Sequence, residues 1–241
     1  MADLRARLLE MLRPRGQEHV LRFWDRLNDV QRMRLARQIE SFDLDLVDEL
    51  VKTRVLAGGW TPALEFGPIE VQPLARTGAD RKAVEHARLV GELLLSQGRA
   101  AAVVVAGGQG TRLGFDGPKG TFPIGVLSGK SLFQLQVERP RALAARHGAR
   151  IPLFVMTSDT NEASTREFLA RGGNFGVAPA DVFVFCQGMM PAVDFEGKLI
   201  LDECDHVFAS PNGHGGVWPG LAQSGALDAM KRRGITDIFH Y

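Results

Sequence analysis

The amino-acid sequence predicts an α/β protein in which an N-terminal helical region precedes a parallel-rich sheet. Apolar residues recur at helical spacing through residues 1 to about 56. From residue 100 onward, short apolar runs suited to strands buried on both faces alternate with segments of helical periodicity. Strands that alternate with helices in this way favour a parallel sheet with right-handed crossovers.

Three helices are predicted in the N-terminal region. The first has an apolar face formed by Leu4, Leu8 and Met11. Pro14 and Gly16 are expected to end it. The second has an apolar stripe formed by Val20, Phe23, Trp24 and Leu27. Asn28 is expected to separate the second helix from the third.

A connector rich in glycine and proline covers residues 57–76, and a further helix is predicted near residues 80–97. Gly98 is expected to cap the end of this helix. Its predicted buried face consists of Val84, Ala87, Val90 and Leu94. We therefore divide the chain into a helical region with its connector, residues 1–76, and an α/β region, residues 77–241.

The α/β region begins with a strand in "AAVVVA" and continues with strands in "IPLFVMTS", "DVFVFCQG" and "TDIFHY". Helices are predicted in "NEASTREFLARGG" and in "VWPGLAQSGALDAMKRRGI", the latter ending at Gly234. "FEGKLILDE" indicates a small hairpin with Glu196 and Gly197 at its turn. Pro140, within a helical segment, is expected to kink or divide that helix.

Composition excludes several classes of function. The 241 residues have a formal net charge of +1, so nothing in the overall charge favours nucleic acid or membrane surfaces as partners. The N-terminus lacks the apolar core of a signal peptide, and no apolar run is long enough to cross a bilayer. Cys186 and Cys204 have no metal-ligand spacing and are expected to be buried free thiols, which favours a cytoplasmic location.

The stretch "VVVAGGQGTRLGFDGPKG", residues 103–120, is the strongest candidate for a binding site. It places a glycine-rich loop at the carboxyl end of a predicted parallel strand, where ligands bind in open α/β sheets. Glycines let the backbone approach a ligand and direct several N–H groups toward phosphate oxygens. Arg112 adds a planar fork for phosphate, and Lys119 adds a mobile positive charge.

Two well-known phosphate motifs do not fit this loop. Gly108, Gly110 and Gly114 give G-x-G-x-x-x-G, one residue longer than the dinucleotide fingerprint. Gly129 opens a Gly-Lys-Ser triplet, but Ile124 stands where a P-loop needs its first glycine. A dehydrogenase is therefore disfavoured.

Six segments resemble the eukaryotic-type UDP-sugar pyrophosphorylases, above all those specific for UDP-N-acetylglucosamine. They are "QEHVLRFWDRLNDVQRMRLARQIESFD", "AGGQGTRLGFDGPKG", "KSLFQLQVER", "VMTSDTNEASTREFL", "FCQGMMPAVDFEGKLIL" and "PNGHGGVWPGL". The resemblance covers nearly the whole chain, and its order and gaps match. It implies a Rossmann-like, GT-A-like nucleotidyltransferase fold for residues 77–241, and it implies that UTP and a sugar 1-phosphate give a UDP-sugar and pyrophosphate.

The resemblance also implies roles for individual residues. Arg112 and Lys119 would be catalytic, facing the leaving pyrophosphate and the phosphates at the reacting centre. His214 would lie by the sugar. The residues implied to bind the nucleotide are Gly107, Gly108, Gly110, Thr111, Gln187 and Gly213, with Gln187 at the uracil edge.

Two departures from the family pattern leave alternatives open. His214 stands where the N-acetylglucosamine enzymes usually have Asn, and it matches the UDP-glucose and broad-specificity enzymes instead. The family continues beyond the position of Tyr241 with a strand that ends in an aspartate ligand of Mg²⁺. We therefore expect the metal ligand outside this sequence, no metal residue within it, and no activity from residues 1–241 alone.

Three kinds of function remain open at this point. The first is an N-acetylglucosamine 1-phosphate uridylyltransferase, and the second is a UDP-glucose or broad-specificity UDP-sugar pyrophosphorylase. The third is a module that binds UTP or a UDP-sugar without turnover. A glycosyltransferase is disfavoured because the only D-x-D match, residues 43–45, lies in the helical region.

Overall fold

The computed structural model of the protein describes residues 2–57, 67–69, 71, 74 and 77–241. The chain forms two compact units. The first consists of Met1–Ile69 and Met189–Ser210, and the second of Glu70–Gly188 and Pro211–Tyr241. The sequence did not indicate that residues 189–210 join the first unit. The predicted boundary at residue 76, between the helical region with its connector and the α/β region, stays a prediction.

The described residues form eight α-helices and eight β-strands. The helices are α1 (Ala2–Leu12), α2 (Asp29–Ser41), α3 (Leu44–Leu50), α4 (Gly78–Ser96), α5 (Leu132–Arg146), α6 (Glu162–Arg171), α7 (Val217–Gln223) and α8 (Ala226–Arg232). The strands are β1 (Ala100–Val105), β2 (Leu153–Thr157), β3 (Val182–Cys186), β4 (Met189–Pro191), β5 (Leu201–Glu203), β6 (His206–Val207), β7 (Ala209–Pro211) and β8 (Asp237–His240).

The first unit packs its helices and a small β arm around one apolar core. Gly16 adopts a left-handed conformation with φ of 63° just after α1, and Asn28 caps α2 through a reciprocal hydrogen bond with Gln31. Both predicted helix breaks are confirmed. The predicted second helix is wrong, because the segment forms two 3₁₀ turns, Glu18–Leu21 and Trp24–Arg26, that pack into the core.

The predicted hairpin arm is confirmed within this unit. The backbone N–H of Gly197 donates to the carbonyl of Asp194 at 3.0 Å, and Val193 bridges to Leu199 on the opposite side of the turn. Gly197 has φ of 76°, a conformation that favours glycine.

The second unit is built on a parallel four-stranded sheet with the order β3-β2-β1-β8. Both faces of the sheet are covered. Met156 and Phe154 face α7 and α8, whereas Val104 and Val155 face α5 and α6. The apolar runs of β1 and β2 are thus buried on both sides, as predicted. In the described chain β8 is an edge strand.

The sequence correctly predicts where α4 lies and where it ends, since Gly98 follows it with φ of 65°. The predicted buried face of α4 is wrong. None of its residues is buried, and Val84 and Val90 are 51% and 44% exposed. The amphipathic pattern indicates a surface suited to burial, and the described residues do not cover it.

Two further predictions about helices need correction. Pro140 does not divide α5, although it cannot donate to the carbonyl of Gln136 one turn earlier. The Tyr241 hydroxyl donates to that carbonyl at 2.5 Å instead. The predicted single helix that ends at Gly234 is two helices, because Gly225 takes a left-handed conformation with φ of 74° between α7 and α8.

Candidate functional site

The candidate site lies at the edge of the sheet where the parallel strands end. β1, β2, β3 and β8 run in the same direction, so their carboxyl ends lie side by side. The glycine loop follows β1, residues 158–161 follow β2, Gln187 follows β3, and His240 ends β8. All these residues belong to the second unit.

The glycine loop folds back on itself as a short hairpin. The N–H of Gly110 donates to the carbonyl of Gly117 at 2.8 Å, and the N–H of Lys119 donates to the carbonyl of Gly108 at 3.0 Å. A 3₁₀ turn, Thr111–Leu113, forms its tip. The fold thus brings the backbone of Lys119, eleven positions further along the chain, next to Gly108.

Arg112 and Lys119 are the two cations of this loop. Arg112 lies at the tip, Lys119 lies at the foot, and both are exposed. Within the described part of the chain, neither side chain makes an ion pair or a hydrogen bond. Both charges are therefore available to an anionic ligand.

The glycines of the loop differ in what surrounds them. A Cβ on Gly110 would lie 2.8 Å from the ring of Phe115, and a Cβ on Gly107 would lie 2.0 Å from Nε2 of Gln187. These two positions need glycine for packing. Gly108 is exposed, and a Cβ there would meet nothing within 4 Å. The described residues give no packing reason for glycine at 108. Because glycine has no side chain, the backbone at this position is open to close approach by a ligand.

Two residues that follow β2 form hydrogen bonds with backbone carbonyls of the glycine loop. The hydroxyl of Ser158 donates to the carbonyl of Gly107 at 3.0 Å. The side-chain amide of Asn161 donates to the carbonyls of Ala106 at 2.9 Å and Gly108 at 3.4 Å. Three successive carbonyls of the loop are thus bound by two side chains.

Sequence reasoning missed Ser158 and Asn161. The signal was a polar S-x-x-N segment at the exit of a strand that is buried throughout.

Gln187 is buried beside the loop, with 5% of its surface exposed. Its backbone N–H donates to the carbonyl of Thr157, and its Oε1 accepts from the N–H of Gly213, both at 2.8 Å. Its Nε2 has no hydrogen-bond partner among the described residues. The structure thus brings together Gln187, Gly213 and Gly107, three of the predicted nucleotide-binding residues.

His214 is exposed in the 3₁₀ turn Gly213–Gly216. Its ring meets the ring of His240 edge-on, with 5.3 Å between the centroids. His240 was not predicted as a site residue, because nothing in its local sequence indicates this contact.

Cys186 precedes Gln187, and its thiol donates to a carboxylate oxygen of Asp159 at 3.1 Å. Burial, with help from Asp159, raises the pKa of the Cys186 thiol to about 12, so it stays protonated near neutral pH. Both cysteines are free. The expectation that both are buried is wrong for Cys204, which is exposed, and Cys186 is only partly buried.

The described residues bring together no group of three or more His, Cys, Asp or Glu side chains that could hold a metal ion. None of the described helices has the length and hydropathy that a bilayer span requires.

The family described as UTP–glucose-1-phosphate uridylyltransferase matches residues 72–241, a range that contains every site residue above. The chain belongs to this family. Curated relatives of this uridylyltransferase-family chain include a mouse "UDP-N-acetylhexosamine pyrophosphorylase-like protein 1", 35% identical over 99% of this chain and 49% of that protein. An Arabidopsis thaliana "UDP-N-acetylglucosamine diphosphorylase 1" is 34% identical over 98% of this chain and 49% of that protein.

The solved structures agree with the uridylyltransferase family. The uridine diphosphate N-acetylglucosamine pyrophosphorylase of Trypanosoma brucei superposes with a TM-score of 0.78 and 26% identity, covering 98% of this chain and 51% of that one. The chain therefore spans about half the length of the relatives it matches. The predicted family and the predicted fold class are both confirmed.

Proposed function

We propose that this chain binds UTP for uridylyl transfer to a sugar 1-phosphate, giving a UDP-sugar and pyrophosphate. The supporting observation is the loop after β1. Among the described residues, the side chains of Arg112 and Lys119 have no hydrogen-bond or ion-pair partner, and several backbone N–H groups of the same loop have no acceptor. This is a site for a strongly anionic ligand in a chain of the uridylyltransferase family.

The proposed chemistry needs positive charge and orientation rather than a nucleophilic side chain. An oxygen of the sugar phosphate attacks the α-phosphorus of UTP, the bond from that phosphorus to the bridging oxygen breaks, and its electron pair leaves with pyrophosphate. Arg112 and Lys119 offset the charge on the equatorial and leaving oxygens. The protonated thiol of Cys186 takes no part.

Gln187 is the proposed uracil-binding residue. A side-chain amide offers both a donor and an acceptor, which matches the edge of uracil. The donor Nε2 has no described partner, and Oε1 is held by the N–H of Gly213. Because Gly107 has no Cβ, the amide can lie against the loop that would hold the phosphates.

N-acetylglucosamine 1-phosphate is the proposed sugar substrate, because the relatives named above are described as UDP-N-acetylhexosamine or UDP-N-acetylglucosamine enzymes. His214 is the proposed sugar contact, and it favours the alternative, a UDP-glucose or broad-specificity enzyme. The contact between His214 and His240 makes these two rings the side chains to vary when the sugar is tested.

Mg²⁺ remains part of this proposal, although the described side chains do not form a cage for it. Magnesium in phosphate-transfer sites is often held by one or two carboxylates together with substrate phosphates, so the ion would bind with the nucleotide. A cytoplasmic location is likewise proposed, with two free cysteines as its support.

The test separates binding from turnover. The 241-residue chain is titrated with UTP, and the protein expressed from its complete gene is assayed for pyrophosphate release with N-acetylglucosamine 1-phosphate and with glucose 1-phosphate at millimolar Mg²⁺. We expect UTP binding and faster release with the N-acetylated sugar. UTP binding without release from either sugar would favour the non-catalytic module, and absence of UTP binding would refute the proposal.

A further inference from the structure

We propose that Ser158 and Asn161 are positioning residues of the nucleotide site, which orient three backbone N–H groups of the glycine loop toward the phosphates. The inference rests on the proposed binding of UTP for its ligand. It assigns a role to two residues that touch the loop from the protein side and have no part in the chemistry itself.

Both side chains are fully enclosed, with exposures of 0% for Ser158 and 1% for Asn161. Every polar atom of Asn161 is used. Its Oδ1 accepts from the N–H of Ser158 at 2.9 Å, and its Nδ2 donates to the carbonyls of Ala106 and Gly108. The Ser158 hydroxyl donates to the carbonyl between those two, that of Gly107.

These contacts determine the direction of the peptide N–H groups, because each N–H group has a fixed geometry relative to the carbonyl of its peptide unit. In a planar trans peptide the N–H points opposite to the C=O of the same unit, and the described chain contains no cis peptide. The carbonyls of residues 106, 107 and 108 belong to the peptide units whose N–H groups are those of Gly107, Gly108 and Gln109. The carbonyls of Ala106 and Gly107 are held by Asn161 and Ser158, so the N–H groups of Gly107 and Gly108 point away from these side chains. The carbonyl of Gly108 is shared between Asn161 at 3.4 Å and the N–H of Lys119 at 3.0 Å, and these two bonds together fix the N–H of Gln109.

Those three N–H groups have no acceptor among the described residues. Successive backbone N–H groups can together bind an anion. They bind it more strongly when the protein holds them in the binding orientation before the ligand arrives. A loop this rich in glycine would otherwise sample many conformations.

The position of Asn161 supports a role toward the loop rather than toward its own helix. Asn161 directly precedes α6, where asparagine normally accepts a hydrogen bond from the first turn of the helix. It makes no such bond. Its Oδ1 accepts from the N–H of Ser158 instead, and this orientation leaves Nδ2 to donate to the loop carbonyls.

The chain offers a matched control on the same helix. Thr165 lies one turn further along α6, is equally buried, and has a hydroxyl that finds no hydrogen-bond partner among the described residues. Thr165→Val changes a buried polar group in this helix without removing a described hydrogen bond to the loop.

The test compares Asn161→Ala, Ser158→Ala and Thr165→Val in the 241-residue chain by isothermal titration with UTP and with inorganic tripolyphosphate, and by NMR titration with uridine. Losing one aligned hydrogen bond to a charged group corresponds to about tenfold in affinity. We expect Kd to rise at least about tenfold for UTP and tripolyphosphate in the first two variants, with Kd for uridine unchanged. Thr165→Val should match the wild type.

Three outcomes overturn the proposal: unchanged UTP affinity in folded Ser158→Ala, an equal loss for uridine and UTP, or an equal loss in Thr165→Val. Ser158→Ala removes a single hydroxyl, and it decides the matter if Asn161→Ala does not fold. A wild-type chain that binds tripolyphosphate but not UTP refutes the proposed function alone. UTP binding that is insensitive to both variants refutes the positioning role alone.

Discussion

Replacing neighbouring glycines of the loop should separate packing from ligand binding. In Gly107→Ala the new Cβ would lie 2.0 Å from Nε2 of Gln187, whereas ordinary contacts begin at 3.4 Å. The amide must retreat by more than about 1 Å, which breaks its 2.8 Å hydrogen bond with Gly213. Because the new Cβ meets the movable end of a side chain, the cost is mainly that of the lost buried hydrogen bond, which predicts a destabilisation of about 1–3 kcal/mol.

Gly108→Ala is the matched comparison, since its Cβ would meet nothing within 4 Å. Its stability should equal or exceed that of the wild type by up to about 1 kcal/mol, because alanine restricts the unfolded chain. The methyl group would instead stand on the backbone that the phosphates approach. We expect UTP affinity to fall by at least about tenfold, the equivalent of about 1.4 kcal/mol.

Urea unfolding and isothermal titration with UTP measure both effects in the same preparations. We expect opposite effects of the two substitutions. Gly107→Ala should lower the free energy of unfolding, whereas Gly108→Ala should leave it unchanged and lower the affinity for UTP. If Gly107→Ala were as stable as Gly108→Ala, Gln187 could not lie against the loop as described. If Gly108→Ala bound UTP like the wild type, the phosphates would not approach this peptide.

Other predictions concern the cation of the loop, the end of β8 and the thiols. In the protein expressed from its complete gene, Lys119→Ala should slow pyrophosphate release at least about a hundredfold while thermal stability stays within about 1 kcal/mol. Replacing the exposed Lys82 by alanine should change neither, and equal rates for the two variants would remove Lys119 from the site. Tyr241→Phe should cost about 1 kcal/mol in urea unfolding because it leaves a carbonyl of α5 without a donor, and no loss would mean that this bond does not form. With iodoacetamide at pH 8, the exposed Cys204 should react well before Cys186, whose pKa of about 12 keeps it protonated; equal alkylation rates would contradict that environment.

The sequence allows local features to be predicted where local residues decide them. The apolar run of β1 indicates a strand buried on both faces, and the glycines after it indicate a loop with free N–H groups. These features depend on neighbours in the chain, so periodicity is sufficient to predict them. The family motifs also predict that Arg112 and Lys119 face the phosphates, and this stays a prediction.

Features that depend on distant residues could not be predicted in this way. Asn161 reaches the carbonyl of Ala106 across 55 positions, because β1 and β2 are neighbours in the sheet and their exits meet. Likewise, Pro140 leaves a carbonyl that Tyr241 satisfies from across the fold. The exposed face of α4 shows the reverse case, in which a periodic pattern predicts burial that the described residues do not provide.

Isothermal titration of the 241-residue chain with UTP and with ATP tests most directly whether the loop and Gln187 form a uridine nucleotide site. Gln187, whose Oε1 accepts from the N–H of Gly213, is the proposed uracil contact, and the phosphate groups of the two nucleotides are the same. UTP should bind at least about tenfold more tightly than ATP, and Gln187→Ala should reduce this preference. Equal affinities for the two nucleotides, or tighter binding of ATP, would contradict the assignment.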